Sequence, residues 1–199
     1  DDRMLARIVE LLTLFFVRRN ITDTPPTRDL ERLFISICEG IEDSNLKGTE
    51  AAKYIRERLV DISASDAAFE ERLAGPIYDV NPDMTRFILT VLAEPSVTKE
   101  MKGLWERYPS GNYVWTIEHV FPQGENIPQE WVDMIGGGDR SEAQKIQAEL
   151  VHTLGNLTIS GYNSKLSNMS FVEKRDRKDS NGFNVGYRNG LNLNEDLVS

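Results

Sequence analysis

The 199-residue chain contains two histidines, His119 and His152, both in its second half. Glu118 precedes the first, and amide side chains follow at Asn156, Asn163 and Asn168. A carboxylate and an amide oxygen are hard donors suited to a cation such as Mg²⁺, and an unmetallated imidazole is suited to taking a proton from water near neutral pH. Together these groups point to metal-assisted hydrolysis. Each also has a plainer reading. A lone histidine is more often a structural residue than a catalyst, Glu118 reads equally as a surface carboxylate, and Asn156 as a turn-stabilising amide. The choice rests on the elements that position them.

Glu118-His119 closes a β-prone run, Tyr113-Val114-Trp115-Thr116-Ile117, and Pro122 stops it soon after. A turn-forming cluster, Tyr108-Pro109-Ser110-Gly111-Asn112, precedes that run and marks a change of composition. Downstream, the pattern predicts a Gly136-Gly137-Gly138 loop, a short helix opened by Ser141 with Gln144 as its capping-box partner, and a second strand over Leu154–Ile159. A polar segment then runs from Asn163 to Asn168, and Ser170-Phe171-Val172-Glu173 forms a capping box ahead of a final helix bearing Lys174 and Arg175. A strand ending in Glu-His, a second strand and a helix bearing Asn would gather these groups around one hollow.

The first half reads as helices. Leu5, Ile8, Val9, Leu12, Phe15 and Phe16 recur at helical spacing, Leu30 to Ile41 repeat the period after Pro25-Pro26, and further helices are expected near 49–62, 65–74, 82–93 and 97–107. The resulting expectation is an α+β protein, with a helical support region over 1–108 and a catalytic region over 109–199. One cysteine, Cys38, excludes an internal disulfide and a cysteine-based zinc site, and the best apolar run, Ile8 to Val17, is interrupted by Glu10, so no membrane span is expected. The first residue, Asp1, suggests a piece of a longer protein. The net charge of −9 argues against a polyanionic partner, yet residues 151–190 carry six basic side chains against three acidic ones. Lys165, Lys174, Arg175, Arg177, Lys178 and Arg188 are the basic residues that would hold a polyanion there; the bland alternative is a solvated helix face of mixed charge.

Three ordered blocks, Ile117-Glu118-His119-Val120-Phe121-Pro122-Gln123, Leu154-Gly155-Asn156-Leu157-Thr158-Ile159 and Asn163-Ser164-Lys165-Leu166-Ser167-Asn168 with Phe171 and Lys174 following, resemble the C-terminal nuclease domain of GmrSD-type modification-dependent restriction enzymes. Related domains occur in the phosphorothioate-sensing Ssp defence system. The resemblance implies a ββα-metal unit of the HNH, or His-Me finger, kind in which two strands and a helix clasp one divalent ion, Mg²⁺ or Mn²⁺. It implies that His119 is the general base, that Asn156 orients it through its loop, and that Glu118 and Asn163 bind the metal. HNH sequences have Asp where this chain has Glu118, which leaves open ligation through water, and Asn168 competes with Asn163 for the metal. Lys165 or Lys174 would hold the scissile phosphate. His152 would be a second catalytic or phosphate-contacting group, or a structural hydrogen-bonding residue. The implied function is cleavage of double-stranded DNA in the bacterial cytoplasm, as the anti-phage effector of a longer protein whose N-terminal domain hydrolyses nucleotide and senses the modification. The alternative is a non-catalytic module that docks on such a sensor.

Overall fold

The computed structural model describes residues 2–97 and 103–199. Its chain divides into two compact units, Asp1–Leu73 and Ala74–Ser199. The first is built from helices α1 (Asp2–Thr22), α2 (Thr27–Asp43), α3 (Gly48–Ile62) and α4 (Asp66–Ala74), the last of which runs into the boundary. Phe15, Leu33, Ile37 and Leu59 form its core, so the apolar periods of α1, α2 and α3 converge as their spacing requires. The N-terminal end of the α1 stripe stays uncovered, with Leu5 and Val9 exposed.

The second unit places two helices ahead of its sheet. Helix α5 (Ile77–Val80) is a single turn between Pro76 and Asn81, and α6 (Pro82–Ala93) starts with proline in its first turn and the Asn81 side chain accepting from the Met84 amide. The helix expected over 97–107 lies partly outside the described residues. Its remainder, 103–107, is not helical: Arg107 bridges to Tyr113 across a turn at 109–112.

The sheet has two antiparallel strands, β1 (Thr116–His119) and, after α7 (Gln129–Gly136) and α8 (Arg140–Leu150), β2 (Leu157–Ser160). The first strand begins three residues later than its β-prone run, so Glu118 and His119 lie within the ladder. The Arg86 guanidinium, which donates to the carbonyls of Leu104 and Trp115 and stacks on the Tyr113 ring at 3.3 Å, holds the preceding segment in irregular form. Likewise Leu154–Asn156 forms a 3-10 turn, and only the following residues pair. The cap of α8 is Asp139, whose carboxylate accepts from the amides of Ser141 and Glu142, in place of the Ser141 box expected from sequence.

Helices α9 (Asn163–Leu166), α10 (Phe171–Asp176) and α11 (Glu195–Val198) complete the unit, and the Ser170–Glu173 capping box is present at the start of α10. Two apolar clusters flank the sheet. Leu89 and Ala93 of α6 pack with Leu157, Ile159 and Leu191, while Val120 and Phe121 pack with Trp131 and Val132 of α7, Leu166 of α9 and Tyr187. Helical support for the strands thus comes from α6 and α7. The mixture of helices with a small antiparallel sheet is α+β.

Residues 185–187 lie against the end of α10, where the Val185 amide donates to the Arg177 carbonyl and the Tyr187 amide to the Lys174 carbonyl. The approach requires a glycine between them. A Cβ on Gly186 would come within 2.8 Å of the Arg175 carbonyl oxygen and closer still to that of Lys174, both backbone atoms that cannot swing aside. Gly186→Ala is expected to lower unfolding stability by about 1–3 kcal/mol, the usual cost of overpacking. A urea midpoint equal to that of the parent chain would show that the segment can retreat.

Candidate active site

The β1–β2 register pairs Glu118 with Thr158 and His119 with Leu157. Beyond it, the Val120 amide donates to the Asn156 carbonyl at 2.9 Å. Because an antiparallel ladder alternates, the carbonyls of Ile117 and His119 then turn toward the free edge of β1. Side chains from α9 and α10 meet that edge. The Asn163 amide of α9 donates to the Ile117 carbonyl and, at 3.2 Å, to Thr116 Oγ1; Lys174 Nζ of α10 donates to the His119 carbonyl at 2.7 Å.

A cavity of about 690 Å³ opens along this edge, lined by Tyr78, Thr116, Glu118, His119, Asn126, Asn163 and Asn168 among others. Its size is that of an ordinary ligand site. Strand alternation sends Glu118 and His119 to opposite faces, yet both border the cavity because it lies at the edge and not over one face.

His119 is buried at 6% exposure. Burial, reinforced by His152 and Lys174 and opposed by Asp79, pushes its imidazole down to about 4 from the ordinary value near 6.5, so it is neutral at pH 7. Its Nε2 stands 3.1 Å from His152 Nδ1, and the Tyr78 ring meets it edge-on at 4.7 Å.

Glu118 and Lys174 form a buried ion pair at 2.6 Å, with side chains 3% and 1% exposed. The ammonium also donates to the carbonyls of His119 and, at 3.3 Å, Val120, so all three of its protons have acceptors. Burial raises the Glu118 carboxyl and lowers the Lys174 ammonium, and their mutual attraction opposes both shifts. Tyr187, buried beneath, is raised by burial and by Glu118, and its hydroxyl has no hydrogen-bond partner among the described residues.

The other candidates fall in distinct places. Asn156 spends its amide on backbone: Oδ1 accepts from the Phe121 amide at 2.8 Å, and Nδ2 donates to the carbonyls of Phe121 and Val151. It acts on the loop after His119 and does not border the cavity. Asn168 borders it from the far side, its amide donating to the Asn126 carbonyl. Lys165 is exposed on α9, its Nζ 5.5 Å from the Tyr162 ring centre. Arg175 grips Asp176, which Arg188 also contacts. Lys174 is withdrawn from solvent, so an anion held there would have to displace Glu118; the phosphate contact expected of it gives way to a structural role. His152 is set against His119 and lies off the cavity wall. Tyr78 and Asp79 were not legible in the sequence; the proline before α5 and the Asn81-Pro82 pair after it were the available signals.

The donor set suits a hard cation. A carbonyl oxygen can only accept, so the Asn163 amide nitrogen must face Ile117, which leaves Oδ1 with no protein partner among the described residues. Glu118 Oε2 likewise has none there, Lys174 being bonded to Oε1. Two such oxygens with retained water match the habits of Mg²⁺. No group of three His, Cys, Asp or Glu able to hold a metal occurs among the described residues.

A family model described as GmrSD restriction endonucleases, C-terminal domain, matches residues 63–193. No curated protein and no solved structure matches the chain.

Proposed function

Since residues 63–193 make this chain a member of the GmrSD restriction endonuclease C-terminal domain family, we propose that it is the nuclease effector of a modification-dependent restriction protein, hydrolysing phosphodiesters of double-stranded DNA. The observation that carries this reading is the sharing of one 690 Å³ cavity by a neutral, buried imidazole, a carboxylate and an amide with an open oxygen. In this reading β1, β2 and α9 make a ββα-metal unit of the HNH kind, with residues 109–199 as the catalytic region, to which α5 adds Tyr78 and Asp79, and the remainder of 1–108 as helical support.

His119 takes the proton of the attacking water. Glu118 and Asn163 would hold Mg²⁺ or Mn²⁺, which when bound neutralises charge on the scissile phosphate and on the leaving oxygen. Asn156 keeps the 120–121 loop, and with it His119, in register. Lys165, exposed on α9, and Arg175, if freed from Asp176, would be the cations that meet the DNA backbone. The nucleotide-hydrolysing sensor belongs to another part of the longer protein, in the bacterial cytoplasm. No described helix is long and apolar enough to cross a membrane.

A plasmid-nicking assay tests the reading. Conversion of supercoiled DNA is expected with Mg²⁺ or Mn²⁺ and is expected to stop with EDTA. Intact plasmid under all metal conditions would favour a non-catalytic docking module, to which the net charge of −9 is better suited.

A further inference from the structure

Two elements bring a second set of polar side chains behind His119. His152, from the loop after α8, places Nδ1 3.1 Å from His119 Nε2, and its own Nε2 lies 3.5 Å from Asp79 Oδ1 of α5. Tyr78 holds the arrangement. Its ring stacks on His152 at 5.3 Å and 16°, meets His119 edge-on at 85°, and its amide donates to the His152 carbonyl at 3.2 Å. Nothing in the proposed reaction accounts for a histidine and a carboxylate on this side of the base.

The contact between the two imidazoles needs one proton. A neutral imidazole has one donor and one acceptor nitrogen, and an ionised carboxylate only accepts. Asp79 therefore favours the proton of His152 on Nε2, which makes His152 Nδ1 an acceptor. His119 must then donate from its own Nε2. The lone pair of His119 is left on Nδ1, the one ring nitrogen not engaged by His152 and hence the one that can serve a water in the cavity.

We infer that Asp79 and His152 are positioning residues that hold His119 in the tautomer protonated on Nε2, so that Nδ1 is the proton-accepting atom. The inference deepens the proposed hydrolytic role of His119 and rests on it for its functional meaning. Asp79 is 58% exposed and α5 is one turn long, so the carboxylate has no packing role that would explain its place.

The test has a spectroscopic arm independent of cleavage. Long-range ¹H–¹⁵N correlation spectra of the labelled 199-residue chain at pH 8 should show His119 protonated on Nε2 and bare on Nδ1. In Asp79→Asn the new amide can donate to His152 Nε2 and reverse the sequence of donors, so the His119 Nδ1–H form should rise. In the cleavage arm, His152→Ala and Asp79→Asn should each lower kcat by roughly 10–100-fold, the usual scale for loss of a group that orients a reactive one, with KM little changed. His152→Gln, whose amide oxygen can still accept from Nε2–H, should recover most of the loss. A purely structural role would not produce that rescue. Wild-type His119 protonated on Nδ1, or an unchanged tautomer in Asp79→Asn, would overturn the inference. A chain with the expected tautomer and no cleavage would leave the positioning role standing and remove the nuclease reading instead.

Discussion

His119→Ala should reduce DNA cleavage by about 10²–10⁴-fold, the range for loss of a general base, while far-ultraviolet circular dichroism and DNA binding stay near those of the parent. The imidazole sits at the end of β1, where Asn156 ties down the following loop without touching the His119 ring, so the strand does not depend on it. The pH profile gives a sharper version. A base works only above its own pKa, and burial has moved that of His119 down to about 4. Cleavage should therefore persist as pH falls from 7 to 5 and decline through about 4, where an unperturbed imidazole would already fail near 6.5. Stability follows the same direction. Between about 4 and 6.5 the unfolded chain binds the proton that the folded chain refuses, so the His119 contribution is complete above the upper value and is lost as pH falls toward the lower. An Ala variant that cleaves like the parent, or an acid limb centred near 6.5, would remove His119 from the role of base.

The second large effect is on folding. Lys174→Met leaves Glu118 buried at 3% exposure without its cation and removes donors from the carbonyls of His119 and Val120. Removing one partner of a buried pair costs about 3–5 kcal/mol, because the remaining charge has lost its solvation and its partner together. Replacing both, in Glu118→Gln/Lys174→Met, should recover a substantial part, since two neutral groups of similar volume need no compensation. Chemical denaturation of the single and double variants measures the difference. A single variant within 1 kcal/mol of the parent would show that the ammonium does not anchor α10 to the end of β1.

Much of this molecule is written in short-range patterns. The 3.6-residue apolar periods placed α1, α2, α3 and α6, and the Ser170–Glu173 box placed α10, because both signals act within four residues of chain. Glu118-His119 and Asn163 were legible by residue type, order and spacing. The start of β1 was misplaced because the β-prone Tyr113 is held instead by Arg86, 27 positions earlier, through a ring contact that no local propensity encodes.

What the sequence alone determined is therefore the helical first half, the order of strand, strand and helix in the second, and the family. Tertiary structure decided the partners: Lys174 on Glu118 across 56 positions, His152 on His119 across 33, and Asp79 and Tyr78 brought from a single helical turn to stand behind the His119 ring. Those choices are set by which buried polar groups must satisfy one another once the apolar faces have closed, and that condition exists only in the packed chain.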